Sequence, residues 1–147
     1  MTTYVEVIPL ATAKLFLKID STQTQTDNEI IGMINSACSY IEKRTGWIFF
    51  ERAKQYFGTD FIAVYDCPIQ NLPTGSTKKN QYSIVPTING EVTLNVGAIL
   101  ASEIPAPLLD CALQIVNFWF YNKETDGAEN SIPNFVVQNI DTFRRFI

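Results

Sequence analysis

The chain has 147 residues, of which 46% are apolar and 18% charged, with seven glycines and seven prolines; this is the size and make-up of one ordinary folded domain, not of a disordered or fibrous chain. Eleven Lys and Arg against fifteen Asp and Glu leave a net charge of −4, which disfavours a surface that wraps a phosphate backbone without regard to sequence. Histidine is absent, so Ser-His-Asp and Cys-His catalysis and imidazole metal sites are excluded.

Residues 1–10 hold no basic segment followed by an apolar run, so no secretory leader is expected and the chain is expected in the cytoplasm. Over residues 10–19, Leu10, Ala13 and Leu17, with Phe16 on the flank, predict a short helix whose start is set by Pro9. Residues 21–25 are a polar linker. Thr26-Asp27-Asn28-Glu29 reads as a capping box that opens a longer helix. In that helix Ile30, Ile34, Ala37, Cys38 and Ile41 repeat at i, i+4, i+7, i+8 and i+11, and Gly46 is placed to end it in the left-handed conformation.

Residues 47–57 and 61–67 are rich in aromatic and β-branched side chains, and Gly58-Thr59-Asp60 between them predicts a hairpin. A polar loop over residues 73–80 carries Lys78 and Lys79. Tyr82, Ile84 and Ile88 then lead into Asn89-Gly90, after which Val92, Leu94 and Val96 alternate with polar residues, a strong local hairpin signal. Pro86 pushes its strand toward a sheet edge.

A third long helix is predicted from about residue 104 to about residue 123. At 100° per residue, Asp110, Gln114, Asn117 and Tyr121 fall in a wedge of roughly 60°, while the rest of residues 108–120 is apolar. Such a helix is central, or it also touches another subunit. A membrane span is disfavoured because the apolar run has about 14 residues against the ~20 needed to cross hydrocarbon. Past a polar loop at residues 123–130, a last helix starts near Ser131 or Pro133. Its stripe of Val136, Ile140, Phe143 and Ile147, flanked by Phe135 and Phe146, asks for a surface to lie on. The fold class is therefore mainly α with a small β insertion (α+β): three to four helices around a central helix at 105–123, and one or two antiparallel hairpins within 47–97. One domain is expected, helical over 9–46, β over 47–103 and helical over 104–147.

Candidate chemistry is sparse. Cys38, Cys67 and Cys111 form no C-x-x-C pair and are odd in number, which supports neither a disulfide framework nor a four-cysteine zinc site. Asp60 with Asp66, or Glu124, Asp126 and Glu129, offer carboxylates without the spacing of a calcium loop. Ser36 and Ser39 lack the glycine pattern of a nucleophile elbow. Lys78-Lys79 and Arg144-Arg145 are the clearest cationic pairs apart from Lys43-Arg44, which suits a helix C-terminus. Phe118, Trp119 and Phe120 could stack on bases, but at helical spacing they are better read as packing. No catalytic, cofactor-binding or metal-binding residue is assigned.

Several segments resemble the head-tail connector (neck adaptor) proteins of tailed bacteriophages. Ala13-Lys14-Leu15-Phe16-Leu17-Lys18-Ile19-Asp20 is similar to that family's short helix, Asp27 follows in the polar gap, and Tyr40-Ile41-Glu42-Lys43-Arg44-Thr45-Gly46 is similar to the end of its longer helix. Ile104-Pro105-Ala106-Pro107-Leu108 and Tyr121-Asn122-Lys123-Glu124 resemble the entry and exit of its late helix, and the closing helix falls where the family has one; residues 47–103 match only its habit of a β insertion. The resemblance implies a structural protein, not an enzyme, in a ring of about twelve copies under the portal vertex. The ring would extend the DNA channel and join the capsid to the tail. Implied partners are the portal protein, copies of the chain itself and a downstream neck or tail protein, with DNA only as passing cargo and no membrane. The implied location is the neck of a virion assembled in the host bacterial cytoplasm. On this reading Phe143, Arg144, Arg145, Phe146 and Ile147 dock on the portal, and Phe118, Trp119 and Tyr121 lie at the subunit contact. Two readings from other classes stand beside it: a small cytoplasmic regulatory or nucleic-acid-binding helical module, marked by salt-dependent DNA binding, and an enzyme built on carboxylates, marked by metal-dependent turnover.

Overall fold

The computed structural model describes residues 3–122 and 131–145. The helices are α1 (Tyr4–Val7), α2 (Leu10–Phe16), α3 (Asp27–Thr45), α4 (Ala106–Asn122) and α5 (Asn134–Asp141), with a 3-10 turn at Ala101–Glu103. The strands are β1 (Arg52–Phe57), β2 (Phe61–Val64), β3 (Thr77–Lys78), β4 (Ser83–Pro86) and β5 (Glu91–Val96). The architecture is α+β, as the residue patterns predict.

The helical layer is organised by two apolar stripes. Ile30, Ile34, Ala37, Cys38 and Ile41 of α3 are fully buried, and they meet Leu108, Cys111, Ala112, Ile115 and Val116 of α4. Burying one such large aliphatic side chain contributes about 1.5–3 kcal/mol, so this seam dominates the layer. Helix α3 also touches α1, α2 and α5, while α4 packs on α2 and α5. Leu17 closes one end, and Val136 and Ile140 of α5 close the other. Gly46 ends α3 at φ +85°, donating its amide to the carbonyl of Glu42, as a left-handed cap requires. The capping box does not form. Thr26 is the N-cap residue, but its backbone is at φ −105°, ψ 6° and its side chain makes no cap bond.

The β part departs from the predicted hairpins in its choice of partners. β1 pairs not with β2 but with β5, and β2 pairs with β4, both antiparallel. The two pairings are halves of one bent ribbon. Arg52–Phe57 runs against Glu91–Val96, Phe61–Val64 continues against Ser83–Pro86, and between them three residues, 58–60, face four, 87–90. The register slips by one residue at the bend, the signature of a bulge that turns a strand. Backbone bonds continue across it: Gly58 N donates to Gly90 O (2.9 Å) and Thr87 N to Asp60 O (2.8 Å). Asn89-Gly90 does make its tight turn, with both residues at positive φ and Ile88 bridged to Glu91, yet the flanking strands part to different sheets. β4 lies in the middle of its sheet rather than at an edge, in the order β2-β4-β3. Pro86 is tolerated there because it is the last residue of β4 and lies beyond the reach of β3.

The ribbon folds over its own small core of Ile48, Val64, Val85, Leu94 and Val96. It leaves the helices at Arg52 and returns where Trp47 bridges Cys67. Gly97 fixes the exit: at φ +114° it lies so close to Phe50 that a Cβ would sit 2.0 Å from the Phe50 carbonyl oxygen.

Candidate functional site

Lys14, Glu42 and Arg44, which the connector-like segments supply, are spent on joining elements. Lys14, 5% exposed, donates from Nζ to the carbonyls of Ser21 (3.3 Å) and Gln23 (2.5 Å) and to Asp27 Oδ1 (2.8 Å), tying α2, the linker and the first turn of α3 together. Asp20 accepts from the amide and hydroxyl of Thr22 (2.9 and 2.8 Å), which hold its carboxyl below the usual range.

Glu42 is a second hub, 6% exposed. Its Oε1 accepts from Phe49 N (2.8 Å), and its Oε2 accepts from Tyr4 hydroxyl (2.7 Å) and Arg52 Nη2 (2.5 Å). One carboxylate thus joins α1, α3 and β1. Beside it Asp66 accepts from Lys54 Nζ (2.6 Å) and Tyr56 hydroxyl (2.5 Å). Tyr4, Glu42, Arg52, Lys54 and Asp66 line a groove of about 430 Å³. Burial, reinforced by the bond to Glu42, pushes the Tyr4 phenol up to about 12, and burial with the Asp66 bond raises Tyr56 as well. Phenols whose ionisation is pushed far above neutral pH and carboxylates already engaged by two or three donors suit a lock between elements better than proton transfer.

The other candidate groups are dispersed. Asp60 stands at the ribbon bend, whereas Asp66 lies past the far end of β2. Glu124, Asp126 and Glu129 lie outside the described residues. Among the described residues no group of three or more metal-ligating side chains comes together. Cys38, Cys67 and Cys111 are buried thiols, and burial raises all three, Cys67 to about 12. Lys78 and Lys79 lie on and just after β3, exposed. No helix among the described residues is long and apolar enough to cross a membrane.

Phe143 and Arg145 are anchored to the rest of the fold. Phe143 packs against the helical core. Arg145 donates from its backbone amide to Thr45 O (2.9 Å) and from Nε to Tyr65 O (3.1 Å), with its guanidinium 5.7 Å from the centroid of the Trp47 ring. Arg144 is exposed; Phe146 and Ile147 lie outside the described residues. On α4, Phe118, Trp119 and Phe120 are half-buried. Trp119 packs on the core and donates Nε1 to Ser131 O (2.9 Å). Tyr121 is exposed, and its hydroxyl donates to the carbonyl of Leu17 at the end of α2.

Sequence reasoning placed the surplus apolar surface on the late helices, but much of it lies elsewhere. At the ribbon bend Phe57, Phe61 and Ile88 are 70%, 59% and 77% exposed, on the outer side of α2 Leu15 and Phe16 are 79% and 42% exposed, and Tyr121, bonded to the end of that helix, is 59% exposed. The signal was present in Leu15, which falls between the buried Lys14 and Leu17 on the opposite side of its helix.

No protein-family model matches the chain, and no curated protein matches it in sequence. Among solved structures, it superposes on a chain of the neck of an empty gene transfer agent particle, computed with C6 symmetry. The TM-score is 0.74 at 15% identity over 98% of this chain and 92% of that one. The chain has the fold of a gene transfer agent neck component. A second match, from the virion of the native gene transfer agent particle, has a TM-score of 0.71 at 14% identity over the same shares. At 98% coverage the likeness takes in the bent ribbon as well as the helices, so the β insertion belongs to the shared fold and is not an addition to it.

Proposed function

We propose that this chain is a structural head-tail connector of a phage-like particle, forming a ring beneath the portal that continues the DNA channel and joins capsid to tail. The observation that carries this reading is the fold shared with the gene transfer agent neck over nearly the whole chain. The use of the buried ionisable groups as ties between elements agrees with a scaffold rather than an enzyme. A ring of about twelve copies is compatible with sixfold symmetry, and a heterologous contact closes when each copy presents two different patches. Net negative charge suits a conduit through which DNA slides without adhering. Partners on this reading are the portal protein, further copies of the chain and a downstream neck or tail protein, with the protein located in the virion neck.

Residues 143–147 would dock on the portal, with Arg144 as the exposed cation, and Tyr121, next to the half-buried Phe118 and Trp119, would contribute to the subunit contact. The test is binding to the portal protein of the same particle, by native mass spectrometry, for the full chain, for Arg144→Glu and for a chain ending at Arg145. The full chain should bind, and both variants should bind at least about tenfold more weakly. Portal binding by neither the full chain nor its oligomers would overturn the connector reading; equal binding by all three would overturn the docking role of the terminus alone.

A further inference from the structure

We propose that the bend of the β ribbon and the outer side of α2 with Tyr121 are the two halves of one head-to-tail contact between copies of this chain. The inference rests on the ring reading above and names the surfaces that would close the ring.

The bend stands five residue steps along β1 from Arg52, roughly 17 Å at the rise of a strand, and the ribbon turns back only beyond it. It carries Phe57, Phe61 and Ile88, among the most exposed large apolar side chains of the molecule. Part of its backbone is already paired across the bend, Gly58 with Gly90 and Thr87 with Asp60. The bend therefore presents exposed apolar side chains on a partly paired backbone, and exposed apolar groups are what a contact would remove from water. Asp60 and Glu91 are exposed beside these side chains, and residues 57–61 and 86–91 hold no cation.

The second patch differs from the first in carrying a cation. α2 spends its inner side on α3 and α4 and leaves Leu15 and Phe16 outside, and the exposed Tyr121 is tied to the end of the same helix by its hydroxyl bond to Leu17 O. Lys18, exposed at φ 60°, follows them in the chain; Lys14 is consumed by Asp27, and the exposed Asp20, accepting from Thr22, keeps its negative charge. Thus one chain carries an apolar knob edged by two carboxylates and an apolar face edged by one ammonium group and one carboxylate. Two unlike, complementary patches are the requirement for a heterologous ring contact: two knobs would set like charges against each other, whereas a knob on the face can pair a carboxylate with Lys18.

Two single substitutions at exposed sites test this: Ile88→Asp breaks the knob and Leu15→Asp breaks the face. Their circular dichroism and melting should match the unaltered chain. In native mass spectrometry over a concentration series the unaltered chain should form oligomers, and each variant alone should associate about tenfold or more weakly. An equimolar mixture of the two should form heterodimers and stop there, because one intact knob and one intact face remain between them. Oligomers from either variant as readily as from the unaltered chain, or a mixture that stays monomeric while the unaltered chain assembles, would overturn the contact and leave the ring reading standing. An unaltered chain that stays monomeric throughout, with and without the portal protein, would overturn both.

Discussion

Arg44 and Asp141, 97 residues apart, form a two-point ion pair, Nε to Oδ1 at 2.6 Å and Nη2 to Oδ2 at 2.9 Å. It fastens the end of α5 to the last turn of α3. The bond to Arg44 holds the Asp141 carboxyl below its usual range. A carboxylate lowered by folding stabilises the native state above its unfolded pKa of about 3.9 and loses that contribution as pH falls through the folded value. Both side chains are more than a third solvent-exposed or nearly so, so the contribution is about 1 kcal/mol or less. Asp141→Asn should lower the melting temperature slightly at pH 7, with the difference from the unaltered chain vanishing near pH 2.

Glu42 has no such solvent to fall back on. Glu42→Ala would leave the Phe49 amide and the Arg52 guanidinium without their acceptor, at a cost of about 3 kcal/mol, read as a shift in the denaturant midpoint. Tyr4→Phe removes one donor of three and should cost about 1 kcal/mol. Because the Tyr4 phenol is raised to about 12 in the fold, its contribution is complete below the unfolded phenol pKa of about 10 and is lost as pH rises through the folded value. Absorbance titration of the phenols should lose a component that ionises near pH 12 in Tyr4→Phe.

Gly97 tests the ribbon's exit. Its positive φ and the 2.0 Å approach of a Cβ to the Phe50 carbonyl oxygen leave no room for any side chain. Gly97→Ala should destabilise by more than about 3 kcal/mol. Gly32, with nothing within 4 Å of an added Cβ and an ordinary helical backbone, should gain about 0.5–1 kcal/mol on the same change. Thermal melts of the two variants should move in opposite directions.

Lys14→Met keeps the length of the side chain but removes the ammonium group that Ser21, Gln23 and Asp27 share. Amide exchange should accelerate over residues 20–27 while the middle of α3 keeps its protection, and stability should fall by about 2 kcal/mol.

The helices were largely legible in the residues because their information is local. Ile30 to Ile41 repeat at the helical period and Gly46 marks the stop; Pro9 and Pro133 stand at helix starts. α1 escaped because four residues are too few for a period to show. The ribbon was legible as strands but not as pairings: Gly58-Thr59-Asp60 and Asn89-Gly90 both carry turn chemistry, and both do turn, but nothing within ten residues of either says that 52–64 runs against 83–96. The same limit applies to the surface. Glu42 and Arg44 read as a charged helix end until the fold brings Tyr4, Arg52 and Asp141 to them. Arg145 reads as a free cation until Tyr65 and Trp47 meet it.

The bend of the ribbon is closed by main-chain bonds, and its outward side chains hold nothing of the framework in place. Such a point can be rewritten residue by residue to suit a different neighbour while the scaffold beneath stays the same, so two particles could share this architecture yet refuse each other's parts.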